Sequence, residues 1–130
     1  SAVVDVRVHN MEDARFIEQQ ILALEPKHKG SILHIEGGFG RPPMERTERN
    51  QRLWRLAKDI GSTMEIDLDQ VIAGGGSDGN TTSMYTATLD GLGTVGDGAH
   101  AQHEFIFTEK LIERTTLLTL LLIENVLDSN

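Results

Sequence analysis

The sequence predicts an α/β fold, on three observations. Residues 1–36 read as strand, helix, strand. Apolar side chains recur at helical spacing in two later segments. Short alternating or apolar runs lie between them. Val4, Val6 and Val8 alternate with Asp5, Arg7 and His9, the period of a half-buried strand. Asn10 then suits a helix cap, with Glu12 and Asp13 in a first turn where negative charge favours the dipole. Ala14, Ile17, Ile21 and Leu24 form its stripe, Pro26 stops it, and "SILHIE" after Gly30 predicts a second strand.

"GGFGRPPMERT" is loop chemistry and places a boundary near Met44. Thr47 is the expected cap of a second helix that carries Leu53, Leu56, Ala57 and Ile60 and stops at Gly61. "MEIDLDQVIA" predicts a strand leading into "GGGSDGN". "NTTSMYTATL" predicts a short helix from Asn80 and a strand ending near Leu89. "EFIFT" is a short strand or the entry to a last helix, expected from about Thr108 to Leu127 and buried or packed on a sheet. Trp54 is expected in the core. The segment after Met44 offers too few strands for a doubly wound sheet, so the chain reads as part of a larger fold. The opening on Ser1, directly into a strand, predicts a cut end, whether natural, proteolytic or engineered.

The chain has 130 residues, with 38% hydrophobic and 25% charged residues, a globular composition. Its net charge of -8 repels phosphate backbones, so no nucleic-acid partner is expected. The apolar run Leu117–Ile123 is far shorter than the ~20 residues of a spanning helix, and no membrane partner is expected. With no cysteine, any metal must be held by His, Asp or Glu. That composition suits cytoplasm and periplasm alike, and the cytoplasm is the favoured expectation.

Three features carry candidate chemistry. The glycine loop before Ser77, Asp78 and Gly79 lacks the Lys-Ser/Thr of a P-loop and the spacing of a dinucleotide fingerprint. It reads either as a tight turn with an aspartate cap or as a backbone cradle for carboxylate or phosphate. His100 closes a second glycine-rich stretch, and "HAQHE" follows neither zincin order. Arg41, between Gly40 and Pro42, is either a solvated arginine or a fork for a carboxylate.

Taken together, "GRPP", "GGGSDGN", "TLDGLGTVGDGAHAQHEF" and a closing apolar helix resemble the C-terminal end of one enzyme family. These are the zinc exopeptidases that include glutamate carboxypeptidases of the carboxypeptidase G type, acetylornithine deacetylase, succinyl-diaminopimelate desuccinylase and aminoacylase. The resemblance covers essentially the whole chain. It implies half of a ferredoxin-like α+β satellite, or dimerisation, domain at residues 2–44, and part of a catalytic domain with a mixed sheet at 45–130. It also implies a homodimer, and hydrolysis of an amide bond beside a free carboxylate in a small peptide or N-acyl amino acid. Two zinc ions would share the attacking water. Position by position, His100 matches the last zinc ligand and Arg41 the arginine that clamps the substrate carboxylate. Gly76, Ser77, Asp78 and Gly79 match the loop lining the substrate pocket. The family's His-x-Asp pair and its adjacent Glu-Glu are not in this sequence, so the chain alone is expected to be inactive. Two other readings remain: a non-catalytic, self-associating interaction module, and an unrelated anion-binding domain.

Overall fold

A computed structural model of the chain describes residues 1–124. They form a small mixed α/β protein, mostly helical, with one short antiparallel sheet. The elements in order are α1 (Met11–Leu22), α2 (Glu48–Thr63), α3 (Asp78–Thr82), β1 (Gly96–Asp97), β2 (Phe105–Ile106) and α4 (Glu109–Ile123). They fall into two compact units. One is Ser1–Arg46 with Ile72–Thr86; the other is Thr47–Val71 with the described residues from Ala87 on.

The first unit is built on α1. Asn10 caps it as its sequence predicts: its Oδ1 accepts from the Asp13 amide at 2.7 Å. Ala14 faces inward and is buried. The loop Gly38–Phe39 is tied to this helix, because Phe39 N–H donates to Glu18 Oε1 at 3.1 Å. The helix N-terminus is also held, by Glu45 Oε1 accepting from Met11 N–H at 2.7 Å. The expected strands at Val4–Val8 and in "SILHIE" do not form. Among the described residues neither belongs to a sheet, and Val3 and Ile32 are 99% and 95% exposed. An alternating pattern marks which face of an extended segment is apolar; the ladder itself needs a neighbouring strand, and these segments have none among the described residues.

The second unit has an apolar core. Ala57 and Ile60 of α2 meet Leu117 and Leu121 of α4 and Leu68 of the intervening segment, with Leu117 fully buried. Trp54 packs at the edge of this cluster. The segment expected as the strand "MEIDLDQVIA" lies outside any sheet; it contributes Leu68 to the core instead. Buried Asn50 accepts from Thr88 N–H at 3.0 Å. That bond satisfies an amide in the stretch where a strand ending near Leu89 was expected; none forms there among the described residues. Helix α4 packs on α2 rather than on a sheet, and its opposite face, with Ile112 and Leu122, is exposed. Within α4, the Thr115, Thr116 and Thr119 hydroxyls donate to carbonyls four residues back. The expected continuation from Asn125 to Leu127 lies outside the described residues.

Helix α2 passes through Gly61, where the sequence places its stop, and ends at Thr63 with Met64 as C-cap. The turn closes as a Schellman motif. Ile66 N–H donates to Gly61 O at 2.8 Å and Glu65 N–H to Ser62 O at 3.1 Å. Glu65 takes the left-handed position, with φ 58°. Gly61 serves packing instead. A β-carbon there would lie 2.7 Å from Leu68 Cδ1 and 3.3 Å from the Ile66 carbonyl. Gly61→Ala is therefore expected to cost about 1–3 kcal/mol of stability in urea unfolding followed by circular dichroism. Exposed Lys58→Ala should stay within about 0.5 kcal/mol of the parent. Equal effects of the two would refute the packing role.

Candidate functional site

The residues around Arg41 and the glycine loop come together in the first unit. They line a cavity of about 530 Å³ whose walls include Arg7, His9, Arg41, Gly74, Gly76 and Asn80. Arg41 lies directly on Gly76. A β-carbon at position 76 would be 2.8 Å from Arg41 Cδ and 3.0 Å from Nη1, so it would displace this flexible side chain. The glycine leaves that space to the exposed Arg41 side chain. Among the described residues Arg41 makes no hydrogen bond or ion pair, so its planar fork of donors is open to a ligand oxygen.

Arg7 behaves differently. Its Nη1 donates to the Gly74 carbonyl at 2.9 Å and its Nε pairs with Asp5 Oδ2 at 3.2 Å. It fixes one end of the glycine loop, with its charge paired to Asp5 in the cavity wall. The sequence reading did not single out Arg7 or His9. Asp5, Arg7 and His9 all line the cavity. Their alternation with valines in the sequence does not single them out, because Val6 and Val8 line the cavity as well.

Ser77, Asp78 and Gly79 form the entry to α3. The helix begins at Asp78, not at Asn80 as expected, because Ser77 is its cap. Ser77 Oγ accepts from Gly79 N–H at 3.1 Å, and Asn80 Oδ1 accepts from Ser77 N–H at 2.8 Å. Asn80 Nδ2 donates to the Pro42 carbonyl at 2.8 Å. Of the sequence-predicted loop residues, Gly76 borders the cavity directly, while Ser77, Asp78 and Gly79 shape the turn behind it.

His100 belongs to the second unit, in the loop joining β1 to β2. Gly96 pairs with Ile106 and Asp97 with Phe105, and Phe107 N–H extends the ladder to Val95 O at 2.8 Å. The loop starts with a turn in which Ala101 N–H donates to Gly98 O at 2.8 Å. His100 is the third residue of that turn and has φ 68°. Its side chain is exposed. His103, in the same loop, lies against Gly98. Among the described residues no three His, Asp or Glu side chains group as metal ligands. One imidazole does not fit a zinc ion by itself, since such sites take about three protein ligands. In the second unit, Glu48 at the start of α2 has its carboxyl held below the usual range, first by a hydrogen bond from Arg55.

No family model matches the chain, and neither a curated protein nor a solved structure matches it.

A histidine at the left-handed position of a turn carries strain that glycine does not. His100→Gly is expected to raise the unfolding free energy by about 0.5–1 kcal/mol in urea titration. An unchanged or lowered value would mean that the left-handed geometry at position 100 carries no cost.

Proposed function

We propose that this chain is part of a dizinc metallopeptidase or amidohydrolase that cleaves an amide bond beside a free carboxylate, with Arg41 as the group that receives that carboxylate. The observation that carries the reading is the unpartnered guanidinium of Arg41, seated on Gly76 in the wall of a cavity with a second cation, Arg7. A guanidinium presents paired N–H donors that match a carboxylate. The glycine loop beside it lets the ligand approach backbone closely. These are properties a substrate-binding half requires, and they agree with the resemblance of the GRPP and GGGSDGN segments to the zinc exopeptidases.

His100 is proposed as one metal ligand. Its strained backbone accords with a residue kept for its side chain rather than for its turn. The two zinc ions implied by the resemblance would supply an activated water and polarise the scissile carbonyl. The described residues contribute one imidazole toward them, so bond cleavage lies beyond what this chain does by itself. Its own share is to bind the acid group and fix the substrate's end. The proposed substrates are small peptides with a C-terminal glutamate and N-acyl amino acids.

A second reading rests on a separate observation. Val3, Val4 and Ile32 are exposed on extended segments that pair with nothing among the described residues. Such edges favour association with a second copy, either as the dimer of the complete enzyme or as a non-catalytic module.

One experiment separates the two. The native polypeptide carrying these residues is purified and its zinc content, sedimentation and hydrolysis of N-acetyl-L-glutamate and folate-type glutamate amides are measured. The enzyme reading predicts bound zinc and turnover. Arg41→Ala should raise KM at least about tenfold, since hydrogen bonds to charged groups contribute about 1.5–3 kcal/mol. His100→Ala should lose zinc. A dimer with neither zinc nor turnover would support the interaction module and overturn the enzyme reading.

A further inference from the structure

We infer that Asn80 is a positioning residue for the carboxylate site: its side-chain amide holds the glycine loop against the arginine-bearing segment, and so sets where the Arg41 guanidinium lies. The inference rests on the reading of Arg41 as the carboxylate receiver and goes beyond it, since Asn80 is given no contact with the ligand.

Asn80 Oδ1 accepts from Ser77 N–H at 2.8 Å, and Nδ2 donates to Pro42 O at 2.8 Å. Ser77 is the residue after Gly76, and Pro42 is the residue after Arg41. One side chain therefore joins the immediate neighbours of the two residues in contact. The orientation of the amide is fixed by its partners. An N–H requires the oxygen and a carbonyl requires the NH₂, so the flipped form would lose both bonds. Pro42 and Pro43 have restricted φ, which limits how far the carbonyl can turn to follow a different partner. The other end of the loop is held separately, by Arg7 on the Gly74 carbonyl. Gly75 and Gly76 lie between these two anchors.

The consequence is specific. Without the Asn80 bridge, the Pro42 carbonyl and Ser77 amide go to water, and nothing else among the hydrogen bonds described above links the 41–43 segment to the loop. Arg41 would keep its charge and lose its fixed position over Gly76. A bidentate contact depends on that position far more than a point charge does.

The test uses the chain, with N-acetyl-L-glutamate as probe, in calorimetry and in spectra of the arginine Nε–Hε groups. Asn80→Ala adds no charge to the site and removes both bonds. It is expected to shift the Arg41 Hε resonance in the free chain and to weaken probe binding about tenfold, a change of about 1.4 kcal/mol. In an Arg41→Ala background the same substitution is expected to add less than about twofold, because Asn80 acts through Arg41. A merely structural role would add its full loss in both backgrounds and would overturn the inference, as would wild-type affinity in Asn80→Ala. Should the parent chain not bind the probe, the carboxylate reading fails on its own. The Asn80 inference is then decided by the Arg41 Hε resonance: a shift supports it, an unmoved resonance overturns it. Should Asn80→Ala not fold, the parent decides. A scalar coupling across the hydrogen bond from Asn80 Nδ2 to the Pro42 carbonyl supports the bridge, and its absence overturns it.

Discussion

The contact between Gly76 and the Arg41 side chain is the interaction on which the candidate site depends. The space a β-carbon would take there is occupied by the Arg41 side chain. Glycine loses more backbone freedom on ordering than other residues, and an ordered loop of three costs accordingly. Two side chains offset that cost by holding the loop at its ends, Arg7 at Gly74 and Asn80 at Ser77. Both do so through the backbone, so the loop's own residues stay small and the cavity stays open.

The two units are stabilised by different physics. In the second, aliphatic side chains from α2 and α4 exclude water around Leu117, and burial of this kind contributes roughly 1.5–3 kcal/mol per large side chain. In the first, Ala14 is the buried apolar side chain, and cohesion comes from side chains reaching distant backbone: Glu18 to Phe39, Glu45 to Met11, Arg7 to Gly74, Asn80 to Pro42. Each such bond has a net worth of only about 0.5–1.5 kcal/mol. The first unit thus depends on polar geometry where the second depends on packing.

Local signals were the legible part of the fold. The Asn10 and Thr47 caps and the stripe of α2 follow from side-chain chemistry within one turn and stand in the structure where the sequence puts them, whereas α1 ends at Leu22, four residues before Pro26, and leaves Leu24 outside the helix and exposed. The strands were not legible in the same way, because pairing is a property of two segments. Val4–Val8 has the right alternation and no neighbour among the described residues. The end of α2 was misplaced for a third reason. Gly61 looks like a stop, yet the left-handed turn residue is Glu65, and the glycine answers to Leu68 across the turn. At the site, Arg41 and Gly76 were both marked by sequence, but their contact is long-range and only the fold reveals it. Arg7 went unmarked because a charge on the polar face of a strand reads as solvated until something faces it.

The most direct measurement is the nuclear Overhauser effect between the Gly76 Hα protons and the Arg41 Hδ protons in the free chain. The account predicts a strong cross-peak, as expected of a side chain resting where a β-carbon would be. Absence of that cross-peak, with Arg41 Hδ showing only intraresidue and sequential contacts, would place the guanidinium in open solvent. The carboxylate site proposed around it would then have no structural basis.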